Sequence, residues 1–98
     1  MNVELLPEAQ SDIRGAVAYY RTHSSGLASS FMNNVAQALL QLEAFPESGV
    51  SIARTSDRTI RRLLVKNFPY SIFYYTNQET VFVVSVAHVH RKPRDWNA

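Results

Sequence analysis

The segment from Thr80 to His90 constrains the fold more than any other part of this sequence. Its apolar residues occupy both alternating faces: Phe82, Val84 and Val86 on one, and Val81, Val83, Ala87 and Val89 on the other. Side chains alternate between the two faces of a strand, so this pattern predicts a central strand with both faces at least partly covered. We expect helices to cover one face, and another segment or a partner to cover part of the other.

Two helical patterns come earlier in the chain. Residues 8–22 carry one apolar stripe and residues 26–44 carry another, and the short turn between them predicts an antiparallel helix hairpin. The second stripe comprises Leu27, Phe31, Val35, Leu39 and Leu42. The segment from Phe45 to Gly49 ends the second helix, because proline cannot continue its hydrogen bonds and glycine favours a turn.

The other segments have the composition of strands and turns. Val3 and Leu5 predict a brief first strand, Thr59–Lys66 and Tyr70–Tyr75 predict two more, and residues 50–58 read as a polar loop. The predicted order is β-α-α-β-β-β, a two-layer α+β fold with the helix hairpin on a mainly antiparallel sheet. A chain of 98 residues fits one domain, and we assign residues 1–98 to it.

The composition bears on the compartment. The chain has no cysteine, which excludes disulfides and is compatible with a reducing cytosol. Its first residues lack the basic and apolar regions of a secretory signal, and no apolar run approaches the length of a membrane span. We therefore expect a cytoplasmic protein without membrane association.

The charges divide unevenly along the chain. Residues 1–53 carry two arginines against five carboxylates, a net charge of −3, whereas residues 54–98 carry eight cations against three carboxylates, a net charge of +5. Such asymmetry indicates an acidic partner, protein or nucleic acid, for the second half. A solvated basic face without any partner explains the same numbers, so both interpretations stay open here.

Few residues have the spacing that a catalytic or cofactor site needs. His88 and His90 share a strand face, but no acidic or histidine cluster accompanies them. The pattern therefore argues against a metal site. The three glycines are isolated and form no phosphate loop, and no serine has the flanks of a nucleophile elbow. We predict no cofactor. The aromatic residues of 70–75 could stack nucleic-acid bases, but their pattern favours a sheet core.

The cations around the last strands are the remaining candidates. Arg61 and Arg62 are adjacent on a strand, so they point to opposite faces and only one can join a given patch. Arg91, Lys92 and Arg94 follow directly after the last strand. One strand arginine together with His88 and Arg91 could hold phosphates or carboxylates.

Several segments of the chain match the pattern of a known family. The second half reads RRLLVKNFPYSIFYY and then VFVVSVAHVHRKPRDW, after PEAQSDI, GLASSF and FPESG in the first half. In this order the segments resemble the ParE/RelE family of bacterial toxins over nearly the whole chain. The more specific part is Phe68-Pro69-Tyr70 with Phe73-Tyr74, followed by His88, Arg91, Pro93 and Trp96. The chain is more similar to the ParE branch than to RelE itself.

The resemblance implies the toxin of a type II toxin–antitoxin system, bound by a cognate antitoxin, expected to be of ribbon-helix-helix type, in a hetero-oligomer. ParE-type members act by poisoning DNA gyrase, and RelE-type members cut messenger RNA in the ribosomal A site. A third alternative is a divergent, non-toxic member that only binds its antitoxin.

The branch decides whether an active site is expected. RelE-like sites use several lysines and arginines and a tyrosine near the C-terminus, whereas this chain has only Lys66 and Lys92 and no tyrosine after Tyr75. A nuclease would have to rely on Arg62, His88 and Arg91. We favour a gyrase inhibitor without catalytic residues over an enzyme.

Two binding surfaces follow from the resemblance and from the charge pattern. The expected target-binding residues are Arg61, Arg62, His88, His90, Arg91, Lys92 and Trp96. The expected antitoxin-binding residues are Tyr19, Tyr20, Phe31 and Tyr74, from the helix hairpin and the sheet.

If the basic residues after the last strand contact the target, Arg91→Ala and deletion of residues 91–98 should each relieve growth inhibition more than Arg21→Ala does. A growth assay with induced expression measures this. Equal toxicity of all three variants would contradict this contact.

Overall fold

The computed structural model describes residues 1–90, and residues 91–98 lie outside the described part. The elements in chain order are β1 (Asn2–Leu5), α1 (Pro7–Arg21), α2 (Ser25–Ala44), β2 (Val50–Arg54), β3 (Thr59–Leu64), β4 (Tyr70–Asn77) and β5 (Thr80–His88). The five strands form one sheet in the order β1-β5-β4-β3-β2, in which only the β1–β5 pair is parallel. The predicted α+β fold with a mainly antiparallel sheet is confirmed.

Strand β2 was not predicted, because it lies within the segment that we expected to be a loop. It pairs with β3 at the edge of the sheet, and all but one of its residues are exposed. Only Val50, Ser51 and Ile52 alternate between apolar and polar residues, and three residues are too few to predict a strand. The observed order is therefore β-α-α-β-β-β-β.

Helix α2 buries most of the predicted stripe and adds two alanines to it. Its buried residues are Ala28, Phe31, Val35, Ala38 and Leu42, while Leu27 is exposed and Leu39 is half-buried. Helix α1 likewise buries Ala9 and Ala16. Because alanine side chains are small, Ala28 and Ala38 allow α2 to approach its neighbours closely. The helix begins at Ser24, whose Oγ accepts a hydrogen bond of 2.9 Å from the Leu27 amide.

The predicted alternation along the last strand is interrupted by a β-bulge at Val84. Phe73 pairs with Ser85 and Tyr74 pairs with Val83, so Val84 has no partner residue on β4. A bulge shifts the alternation by one residue. Val86 consequently joins Val81 and Val83 in the core under the helices, rather than sharing a face with Phe82.

The same part of β5 is joined to helix α1 by a carboxylate. Strand β1 ends at Leu5, opposite Val83, so the edge of β5 beyond that point has no neighbouring strand. There the Val86 amide donates a hydrogen bond of 2.9 Å to Asp12 Oδ2. Because an unpaired buried amide is costly, this bond positions α1 over the end of the sheet.

The link between α2 and β2 is held to the sheet core by Tyr74. The Tyr74 side chain is fully buried, and its Oη accepts a hydrogen bond of 2.9 Å from the Gly49 amide. Burial raises the pKa of the Tyr74 phenol, with smaller opposing contributions from the Gly49 amide and Arg61. The hydroxyl is therefore neutral at physiological pH.

This close approach explains the glycine at position 49. A Cβ there would lie 2.6 Å from Tyr74 Oη and 2.8 Å from the carbonyl oxygen of Arg62. Both distances are shorter than van der Waals contact, and the Arg62 carbonyl belongs to the backbone of β3.

We expect Gly49→Ala to lower the free energy of unfolding by about 1–3 kcal/mol, the usual cost of overpacking. Urea denaturation followed by circular dichroism measures it. Gly15→Ala is the matched control: nothing lies within 4 Å of a Cβ on Gly15 in α1, so this variant should gain about 0.5–1 kcal/mol. Equal effects of the two substitutions would contradict the role given to Gly49.

Candidate functional site

An aromatic cluster joins the helix hairpin to the sheet near the start of β4. It consists of Tyr20 from α1, Phe31 from α2, Phe68 from the β3–β4 turn and Tyr70 from β4, with ring centroids 5.1–6.2 Å apart. Most of the pairs meet edge to face, the geometry that aromatic quadrupoles favour. Asn67, with a φ of 67°, makes the turn that brings Phe68 over the cluster.

His88 and His90 extend this cluster at the end of β5. The His88 ring lies 5.3 Å from the Tyr70 ring and 5.2 Å from the His90 ring, measured between centroids. The His90 amide donates a hydrogen bond of 3.1 Å to His88 Nδ1, and the Val89 amide donates one of 2.8 Å to the Pro69 carbonyl. These two bonds hold the end of β5 against the β3–β4 turn and fix the orientation of the His88 ring.

The rest of the predicted target surface follows His90. Arg91, Lys92 and Trp96 lie outside the described residues. Within residues 1–90, no three histidine, cysteine or carboxylate side chains are grouped to hold a metal ion. The two histidines therefore have no third ligand in this part of the chain.

The adjacent arginines on β3 have different surroundings, as their strand positions predict. Arg61 Nη1 donates hydrogen bonds to the carbonyl oxygens of Gly49 (2.9 Å) and Glu47 (3.4 Å), and Nη2 lies 3.6 Å from Glu47 Oε1. Arg62 is exposed on the opposite face of the sheet. Arg61 is thus occupied in holding the link between α2 and β2, and Arg62 is the arginine of this pair that a partner can contact.

The structure does not bring Arg62 and His88 to one site. Arg62 pairs with Phe73, and His88 pairs with Tyr70 and contacts its ring. Tyr70 and Phe73 are three apart on β4, so they point to opposite faces of the sheet. Paired residues share a face, so Arg62 and His88 also lie on opposite faces. Of the three residues that we proposed for a nuclease, the two described ones therefore cannot act on one phosphate.

The sheet face opposite the helices, here called the far face, carries a mixture of cations and apolar side chains. The Tyr75 and Phe82 rings are stacked with centroids 5.3 Å apart, and the Arg58 guanidinium lies 4.0 Å from the Tyr75 centroid. Arg62 and Leu64 lie on the same face. Arginine over an aromatic face is a stabilising cation–π arrangement.

The four residues expected to bind an antitoxin divide into two groups. Tyr19 is 57% exposed at the rim of α1, and Tyr20 faces the aromatic cluster, as expected for adjacent tyrosines on a helix. Phe31 and Tyr74 are both 0% exposed. Burial removes these two from any surface that a partner could contact in this fold, because both serve the core.

Sequence reasoning missed several exposed apolar residues on the helix hairpin. Leu27, Met32 and Leu40 of α2 are exposed, and so is Phe45 immediately after it. The available signal was that α2 carries more large apolar residues than one buried stripe requires. Each of these exposed side chains is a candidate contact for a partner.

The same architecture occurs in a solved structure. A chain from a structure described as the chromosomal ParDE TA system from P. aeruginosa superposes with a TM-score of 0.74 at 12% sequence identity. The match covers 90% of this chain and 95% of that chain. At this identity the likeness shows a common fold.

The family itself follows from the sequence comparison. Residues 3–93 match the model of the ParE toxin of type II toxin–antitoxin systems, parDE, and the chain belongs to this family. The predicted ParE branch is thereby confirmed. No curated protein matches the sequence significantly. Neither helix in residues 1–90 is long and apolar enough to cross a membrane.

The two arginines of β3 offer a matched pair of substitutions. Arg61→Ala should lower the free energy of unfolding by about 1–2 kcal/mol, because charge-assisted hydrogen bonds to two backbone carbonyls are lost. Arg62→Ala should change it by less than about 0.5 kcal/mol, as is usual for surface residues. Chemical denaturation of both variants measures the difference, and a reversed order would contradict the assignment.

Proposed function

We propose that this protein is a toxin that inhibits DNA gyrase by protein–protein contact, without catalysing a reaction of its own. The observation that carries the proposal is the match to the ParE toxin family over residues 3–93. ParE-type members, as the sequence resemblance implies, act on gyrase. Since gyrase works on DNA inside the cell, the protein would act in the cytoplasm.

The arrangement of the described cations supports an inhibitor rather than an mRNA nuclease. Cleavage of RNA by general acid–base catalysis needs a base, an acid and phosphate-binding cations within hydrogen-bond reach of one phosphate. Here Arg61 is bound to the link between α2 and β2, and Arg62 and His88 lie on opposite faces. A binding surface does not require such convergence, since separate contacts can contribute to one interface.

We further propose that a cognate antitoxin neutralises the toxin in a hetero-oligomer, and that this antitoxin is of ribbon-helix-helix type. The solved structure that shares the fold is described as a ParDE toxin–antitoxin system. Exposed apolar residues on the helix hairpin, among them Tyr19, Leu27 and Met32, offer a surface for such a partner. Burial of exposed apolar side chains by a partner lowers the free energy of the complex.

The test compares two activities of the purified full-length chain. Relaxed plasmid and gyrase report supercoiling, and a ribosome-dependent reaction with messenger RNA reports cleavage. We expect supercoiling to be inhibited in proportion to toxin concentration and the messenger RNA to stay intact. Arg21→Ala, an exposed change at the end of α1, serves as the control and should inhibit like the unmodified chain.

The other outcomes separate the alternatives. Cleaved messenger RNA with normal supercoiling would overturn the proposal in favour of a RelE-like nuclease, and loss of cleavage in His88→Ala would then identify a catalytic group. Neither activity, together with retained antitoxin binding, would indicate a divergent module that only binds its antitoxin.

A further inference from the structure

Cations and apolar residues alternate along the side of β3 that points away from the helices. Leu63 packs against the core and Val65 belongs to it, so the even-numbered residues around them point to the far face. The guanidinium of Arg58, just before the strand, lies on this face as well, over Tyr75. In chain order the far-face residues are Arg58, Ile60, Arg62, Leu64 and Lys66. A cation thus recurs at every fourth position, about 13 Å from the next.

These three cations, here called the cation line, are largely available to a partner. Arg62 and Lys66 are exposed, and neither forms a salt bridge with a carboxylate among the described residues. Arg58 lies 3.6 Å from Asp57 in an ion pair at the surface, where such pairs contribute little. Glu4 shares the far face, but it belongs to β1 at the opposite edge of the sheet. The β3 side of the far face therefore has a net positive charge.

Aromatic and aliphatic side chains lie beside the cation line. Leu64 is 58% exposed, and Val50, which pairs with Arg62 across β2 and β3, is 63% exposed. The stacked and half-buried rings of Tyr75 and Phe82 continue this surface across β4 and β5. Proteins that bind single-stranded nucleic acid combine these two features, cations for the backbone and aromatic side chains for the bases.

The regular spacing of the cations separates the possible occupants. A second copy of the chain would bring like charges together across the interface, which is destabilising. An acidic protein surface would need carboxylates at the positions that match the cation line. A polynucleotide carries a phosphate on every nucleotide, so it can match the line in any register. A single strand also leaves base faces free for aromatic side chains, whereas a duplex keeps its bases stacked on one another.

We propose that the far face along β3 binds single-stranded DNA without cleaving it. Arg62 and Lys66 would contact phosphates, while Leu64 and the neighbouring aromatic rings would contact bases. Cleavage is not expected, because Arg62 and His88 lie on opposite faces and do not converge on one phosphate. The choice of DNA over RNA rests on the function proposed above, since gyrase works on DNA.

The test measures binding of a fluorescein-labelled oligothymidylate to the full-length protein by fluorescence anisotropy over a range of salt concentrations. Each phosphate contact with a single strand contributes about 0.7 to the slope of the logarithm of affinity against the logarithm of salt concentration. Residues 91–98 carry further cations, so the difference between variants, rather than the total slope, measures the far face.

Single substitutions then separate the contributions. Arg62→Ala and Lys66→Ala should each weaken binding about two- to fivefold at low salt, the range of an exposed ion pair, and each should reduce the slope by about 0.7. Arg21→Ala removes the same charge from α1 and should leave the affinity and the slope unchanged. Tyr75→Leu should weaken binding without changing the slope, because stacking is not an ionic contact. Circular dichroism checks that each variant is folded, and the two cation variants decide the test if Tyr75→Leu is not.

Several results would overturn the proposal. They are no binding of the oligothymidylate, or equal affinities for Arg62→Ala, Lys66→Ala and the unmodified chain. Displacement of the oligothymidylate by polyglutamate at equal charge would assign the far face to an acidic protein. Tighter binding of oligouridylate or of duplex DNA would contradict the choice of single-stranded DNA. The assay contains no gyrase, so its result does not depend on whether the chain inhibits supercoiling.

Discussion

The central strand β5 must satisfy backbone hydrogen bonds along both of its edges, and the arrangement of the other elements depends on how it does so. Strand β4 covers one edge completely, but β1 covers only the first half of the other. Asp12 supplies the acceptor where β1 has ended. The bulge at Val84 turns Val86 toward the helices at the same point, so one local irregularity serves the core and the docking of α1 together.

A second set of contacts determines which surfaces remain for partners. Tyr74 and Arg61 both hydrogen-bond to the backbone of Gly49, so the two residues hold the link between α2 and β2 against the sheet. Their polar groups are consequently satisfied inside the fold. Arg62, one position further along β3, is left facing solvent with apolar neighbours. Because adjacent strand residues point to opposite faces, one arginine stabilises the fold and the other remains free to contact a partner.

This division fits the binding role that we propose. Catalysis requires groups to converge within a few ångströms, whereas the described cations are distributed over two faces and one edge of the sheet. Binding to large partners can use such separated contacts, because each adds to one extended interface. The inhibition by contact that we propose is therefore compatible with an ordinary core and with separate surfaces for a target and for a neutralising partner.

Local patterns were enough to predict the elements with strong periodicity. The two helices, the strands β3, β4 and β5 and the family resemblance all follow from residues close together in the chain. The opposite directions of Arg61 and Arg62 were also predictable, since adjacent strand residues alternate.

By itself, then, the sequence determined the class of fold, the helix hairpin and the unequal distribution of charge. Only the tertiary structure decided that β2 is a strand, that Val84 shifts the alternation and that Phe31 and Tyr74 are buried. The physical reason is the range of the interactions involved: Asp12 and Val86 are 74 positions apart, and Gly49 and Tyr74 are 25 apart. No local pattern specifies such pairs, because the register and burial that create them exist only once the elements have packed together.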